Sequence, residues 1–229
     1  MSVINDPEFG KIIVRKYPSA SSIKVRRAPN GDLRISAPTY APNFVIKNFI
    51  KQSKKQLREL IADSTPNVTY KNGTTIGKSH NLVVIPSEKL NVLIKNNIIT
   101  VSLPNNFDLN DTEVIDELRP VIIKALRKEA KGYLPRRLDF MARQHNFSYN
   151  GVKFSHASSR WGSCRSDGSI TLNIALMKLP FELIDYVIAH ELAHTIEMNH
   201  STEFWKIVEQ VDPNYKTHRR LLKNESPNI

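Results

Sequence analysis

The stretch from Phe181 to Glu197 constrains the fold of this chain more than any other. Wound at about 100° per residue, Leu183, Ile184, Val187, Ile188, Ala189, Leu192, Ala193 and Ile196 fall nearly all round a helix. A helix that is apolar on most sides is buried in a core. Yet His190, Glu191 and His194 sit in its middle. Burying such groups without partners costs on the order of several kcal/mol. Two histidines four apart lie one above the other on the same side of a helix. That spacing lets two imidazoles occupy two corners of a Zn²⁺ tetrahedron. The glutamate beside the first imidazole can then take a proton from a water that the metal polarises. His-Glu-x-x-His therefore reads as the general-base motif of a zinc hydrolase. Hydrogen bonds to nearby carbonyls are the plainer use for a buried histidine, but a metal and a water-filled cleft accommodate all three groups at once.

A third ligand must come from beyond the helix. On an unbroken helix His200 would point about 80° away from His194 and lie roughly 15 Å along the axis from His190. It joins the pair only if the helix stops between Glu197 and His200. Asn199 suits the left-handed conformation that ends helices. Ser201 can cap a new helix containing Phe204, Trp205, Ile207 and Val208. Asp212-Pro213 should end that helix and open the next. Glu203 and Glu209 compete for the third position, whereas Glu197 shares the histidine face but lies too far along. His200 has the shortest return path.

The rest of the chain is organised around strands and amphipathic helices. Asn30-Gly31 separates two alternating runs in 23–36, a hairpin signal. Ile46, Phe49, Ile50, Leu57, Leu60 and Ile61 predict a helix over 42–63. Strands follow near 67–85 and 90–103, with Asn96-Asn97 as a turn. Ile115, Leu118, Ile122, Leu126 and Tyr133 predict helix over 112–146, which Pro120 and Pro135 should start, kink or split. Strands return in 151–175 around an Arg165–Gly168 turn, and Pro180 opens the motif helix. The composition shifts near Pro104-Asn105-Asn106, so a boundary is placed at 105–112, and no internal repeat stands out. The expected fold class is α+β: a strand-rich region with one amphipathic helix over 1–108, then an α/β catalytic domain over 109–229.

Composition narrows the function classes. The chain has 229 residues, enough for one sizeable core or two modest units. One cysteine, Cys164, excludes an internal disulfide framework. No apolar run reaches membrane-spanning length and the N-terminus lacks a secretory pattern, so a cytoplasmic protein without membrane contact is expected. The net charge is +11. Lysines and arginines cluster at Lys47, Lys51, Lys54, Lys55 and Arg58, at Arg119, Lys124, Arg127, Lys128 and Lys131, and at Lys216, Arg219, Arg220 and Lys223. These read first as solvated helix faces and second as a nucleic-acid contact surface. No nucleic-acid motif accompanies them.

Arg160-Trp161-Gly162-Ser163-Cys164, running on to Asn173, then Ile184 to Ser201 and Phe204-Trp205, resembles the YgjP-like metallopeptidase family, itself related to SprT-like and Wss-type zinc proteases. The likeness is close over about 150–223 and looser over Arg26-Arg27, Asn30-Gly31 and Ala37-Pro38. It implies a compact, zincin-like α/β catalytic domain with a small sheet beside a buried motif helix. It implies His190, His194 and His200 as zinc ligands and Glu191 as catalytic base, and leaves the substrate open, a protein or peptide being the expected one. Metzincins share the ligand spacing, but Glu197 stands where they have glycine and no Met-turn follows. In the Arg160–Cys164 segment, a strand bordering the cleft could pair with an extended peptide, and Arg160 could stabilise a developing oxyanion or simply form an ion pair. Trp161 and Cys164 read as packing. Tyr186, Asn173 and Tyr215 are further hydrogen-bond donors near the site. The resulting expectation is metal-assisted peptide hydrolysis. Its alternatives are a metal-dependent nucleoside triphosphate pyrophosphohydrolase and a zinc-containing, nucleic-acid-associated binding module.

Overall fold

The computed structural model describes residues 2–27, 33–63 and 69–229, with Lys11, Arg27 and residues 59–63 described in their backbone only. The chain divides into two compact units, Met1–Val68 and Thr69–Ile229. No helix among the described residues is long and apolar enough to cross a membrane.

The first unit contains β1 (Ser2–Asp6), β2 (Gly10–Tyr17), β3 (Lys24–Arg27), β4 (Leu33–Pro38), α1 (Asn43–Gln52) and α2 (Lys54–Asp63). Its sheet has the order β1-β2-β4-β3, with β2 and β4 parallel and the outer pairs antiparallel. The expected Asn30-Gly31 turn lies outside the described residues, but the strands flanking it pair antiparallel from Arg27↔Leu33 onward. Alternation puts Ile12, Val14, Leu33, Ile35 and Ala37 on one face, where they share a core with Ile46, Ile50 and Leu57. The single helix expected over 42–63 is interrupted at Ser53.

The second unit opens with β5 (Thr75–Ile76), β6 (His80–Pro86), β7 (Asn91–Lys95) and β8 (Ile98–Leu103). Asn96 and Asn97 both take left-handed φ, at 51° and 62°, which is how a two-residue hairpin turn matches strand twist. The sheet order is β5-β6-β8-β7, with β6 and β8 parallel and the outer pairs antiparallel. This is the topology of the first sheet over again. The buried pair Ile12↔Leu33 corresponds in register to the buried pair Leu82↔Ile99. The four-stranded arrangement is thus a structural repeat that residue identities conceal. The copies share the pairing register and the buried central pair, and only scattered identities such as Ser36 and Ser102.

A 33-residue helix, α3 (Thr112–Gln144), follows. It runs unbroken through Pro120 and Pro135, where the sequence predicts a start, kink or split. An internal proline costs about 3 kcal/mol. Ten buried side chains along α3, from Val114 to Ala142, offset that cost by sharing the core of the second unit with Leu82, Ile99 and Val101. The expected junction at 105–112 therefore falls between β8 and α3, inside the second unit, and the chain divides instead at 68/69.

A small sheet of β9 (Val152–Ser155), β10 (Gly162–Cys164) and β11 (Ile170–Asn173) completes the frame, in the order β10-β11-β9. β10 and β11 form the expected antiparallel pair around the Arg165–Gly168 turn. α4 (Phe181–Ala193) packs beside β10 and is followed by α5 (Thr202–Val211) and α6 (Tyr215–Leu222). The architecture is mixed α and β throughout.

Candidate metal centre

Pro180 caps α4, and Leu183, Ile184, Val187, Ile188, Ala189, Leu192 and Ala193 are all buried, as their periodicity requires. The helix stops earlier than the sequence predicts, at Ala193 rather than beyond Glu197. Thr195 ends it. Its hydroxyl donates to the Leu192 carbonyl at 2.7 Å and its N–H reaches the same oxygen at 2.9 Å. Ile196 consequently leaves the core and stands 64% exposed. Ser201 then caps α5, its Oγ accepting from the Phe204 N–H at 3.2 Å.

That break and restart carries His200 back over the motif helix. The ligating atoms of His190, His194 and His200 all lie within 4.8 Å of one another. The Nε2 atoms of His190 and His200 are 3.1 Å apart. Two imidazoles on one tetrahedral Zn²⁺ at 2.0–2.1 Å place their nitrogens about 3.3 Å apart, so the spacing fits a shared cation. His194 Nδ1 faces the Glu197 carbonyl oxygen at 3.1 Å. A proton held there leaves the Nε2 lone pair free for a metal. His190 Nδ1 and Glu191 Oε2 are buried without partners among the described residues. Burial pushes the His190 pKa down to about 3, with His194, His200 and Arg219 adding to the effect. Burial likewise lowers that of His194. Both rings are therefore neutral near pH 7, the form that ligates. The donor set and its spacing suit a borderline-soft divalent metal such as zinc.

Glu191 is 5% exposed. Burial pushes its carboxyl up to about 8, against an opposing pull from the Arg160 charge. Across from it lies β10, the edge strand of its sheet. A Cβ placed on Gly162 would come within 2.5 Å of Glu191 Oε1. Gly162 is a site residue that sequence reasoning passed over. The signal was a glycine inside a strand, which marks a close approach.

Aromatic side chains floor the cluster. Phe204 is fully buried, with its ring 4.5 to 4.9 Å from all three imidazoles. Trp205 stacks on His200 at 5.7 Å and on Tyr215 at 5.4 Å, and the Arg219 guanidinium lies 4.5 Å from the Trp205 ring. In the sequence Phe204 and Trp205 read as a helix face and part of the family likeness, Arg219 as part of a basic cluster, and Tyr215 as a hydrogen-bond donor rather than a stacking partner.

The other candidates disperse. Glu203 is exposed and pairs with Lys206, and Glu209 is exposed. The Glu197 carboxylate accepts from the Asn199 N–H. Cys164 is half-buried, with Sγ 3.4 Å from the Arg165 carbonyl oxygen, and burial pushes its thiol up. Trp161 packs against the core. Asn173 is fully buried and braces the loop before β10, donating to the carbonyls of Ala157 and Arg160. Tyr186 is buried with its ring 6.1 Å from that of His190. Arg160 is exposed and reaches the site through its charge on Glu191.

The family model for the YgjP-like, metallopeptidase domain matches residues 21–225. No curated protein matches the chain. Among solved structures, that of the metallopeptidase zymogen abylysin of Pyrococcus abyssi is similar, with 26% identity and a TM-score of 0.36. The match covers 39% of this chain and 92% of that one.

Proposed function

Because the chain belongs to the YgjP-like metallopeptidase family, we propose that it is a zinc-dependent peptidase with a zincin-like catalytic domain, in which His190, His194 and His200 hold the metal and Glu191 is the general base. The convergence of three imidazoles beside a buried glutamate carries this reading. Zinc, when bound, supplies Lewis-acid activation of water and of the scissile carbonyl. Glu191 takes the proton from the attacking water and returns it to the leaving amine. The Glu197 carbonyl fixes the His194 ring, and Phe204 and Trp205 fix the three imidazoles against one another. The edge strand β10 pairs with an extended peptide and sets its scissile bond beside Glu191. Arg160 steadies the charge that develops on the carbonyl oxygen.

The test compares wild type with Glu191→Gln on a peptide library, alongside metal analysis. Hydrolysis should vanish in the variant while zinc stays near one per chain. Undiminished hydrolysis, or pyrophosphate release from nucleoside triphosphates in place of peptide cleavage, would overturn the reading.

A further inference from the structure

The repeated sheet contains its own control. In the first unit, the face of the sheet turned away from the core carries Ile13, Arg15 and Tyr17 on β2, Lys24 and Arg26 on β3, and Arg34 and Ser36 on β4. Arg26 stands directly opposite Arg34, and Arg15 and Lys24 flank Ser36 on either side. All four cations are exposed, and among the described residues none of their side chains has an acidic partner. At strand spacings of about 4.8 Å and a rise of about 3.3 Å per residue, they cover a patch of roughly 10 by 7 Å. Like charges directly opposite on neighbouring strands destabilise a sheet.

The second sheet shows that the topology does not require them. With Leu33 set on Ile99 and Ile12 on Leu82, Arg34 corresponds to Thr100, Arg26 to Leu93, Lys24 to Asn91 and Arg15 to Ile85. Ser36 corresponds to Ser102 and Ile13 to Val83. The same fold is built twice, once with four cations on this face and once with none at those positions. The wider charge distribution follows the same division. Residues 1–68 hold twelve lysines and arginines against five acids, and so carry +7 of the chain's +11. The helix cations of this unit are partly spent, since Lys54 and Arg58 both pair with Glu8.

We propose that this sheet face is a binding surface for single-stranded nucleic acid. Three of the four cations are arginines, whose planar forks match phosphate oxygens in pairs. Ile13 and Tyr17, the latter 41% exposed, interleave with them and offer apolar and aromatic surface to unstacked bases. Bound phosphates relieve the repulsion between Arg26 and Arg34. The surface belongs to the first unit and the histidine cluster to the second, and the proposal does not depend on the cluster's chemistry.

Fluorescence anisotropy of labelled 20-nucleotide DNA and RNA strands with the full chain tests this. Four phosphate contacts on a single strand give a salt slope of about −3, or about 50-fold weaker binding between 50 and 200 mM salt. The quadruple variant Arg15→Gln, Lys24→Gln, Arg26→Gln, Arg34→Gln should bind at least about 100-fold more weakly at 50 mM salt and lose that slope. Arg34→Thr alone, which installs the residue of the matching register, should weaken binding about 5- to 10-fold and keeps the test open if the quadruple variant fails to fold. Glu191→Gln should bind as wild type does. A control lacking the same number of charges elsewhere, Lys47→Gln, Lys51→Gln, Lys55→Gln, Lys89→Gln, should lose far less. Equal loss in that control, tighter binding of a duplex, or binding of anionic lipid vesicles but not of either strand would overturn the proposal.

Discussion

Gly162→Ala is the sharpest probe of the candidate site. The φ of Gly162 lies outside the left-handed region, so alanine meets no backbone penalty there. Its methyl group would nevertheless fall 2.5 Å from Glu191 Oε1, 2.7 Å from Cγ and 2.8 Å from Cδ. Optimal carbon contacts are 3.5–4.0 Å, so something must move by about 1 Å. α4 cannot retreat, because Leu192 and Ala193 beside Glu191 are fully buried. The carboxylate therefore swings away from its position. A displacement of about 1 Å in a reacting group costs about 100-fold in rate, or about 2.7 kcal/mol of barrier. The three nearest atoms all belong to Glu191, so zinc content should stay at one per chain. The assay is kcat and KM on a cleaved peptide, with metal analysis and thermal unfolding on the same samples. The loss should fall in kcat, and the larger Gly162→Val should deepen it. A Gly162→Ala enzyme keeping more than about a third of the wild-type kcat would refute the reasoning.

Three further outcomes concern the second unit. Glu129 accepts hydrogen bonds from the Lys78 N–H at 2.6 Å, the Ser79 N–H at 2.9 Å, the Ser79 hydroxyl at 2.8 Å and His80 Nδ1 at 2.6 Å. Glu129→Ala strands these donors and should destabilise the protein by about 3 kcal/mol in denaturant titrations. Burial works to raise the Glu129 pKa, but these hydrogen bonds outweigh it and hold it below the ordinary 4.5. The unfolded chain then binds that proton more readily. The Glu129 contribution is thus full above about pH 4.5 and lost as pH falls below it, and Glu129→Gln should flatten that part of the stability curve. At the metal cluster, Trp205→Ala removes the ring stacked on the exposed His200 and should weaken zinc about 10-fold in chelator competition.

What the sequence discloses, and what it hides, divides by distance along the chain. Local features were legible. The caps at Pro180 and Ser201, the Asn96-Asn97 turn, the β10–β11 pairing and the return of His200 all rest on neighbours within about ten residues. Features set by partners far along the chain were not. Gly162 is constrained by Glu191, 29 positions away, and a glycine in a strand signals a close approach without naming its partner. α3 stays whole through two prolines because of a core it only meets in three dimensions. The earlier end of α4 turned on one threonine side chain that competes for a backbone carbonyl. The repeated sheet was invisible because register, rather than residue identity, is what its two copies share.

The central claim is a metal held by three imidazoles and no other side chain, and X-ray absorption at the zinc edge of the purified protein tests it most directly. The account requires three nitrogen scatterers at 2.0–2.1 Å with the multiple scattering of imidazole rings, and loss of one ring in His200→Ala. A sulfur scatterer at about 2.3 Å, which only Cys164 or a methionine could supply, or an unchanged spectrum in His200→Ala, would contradict it.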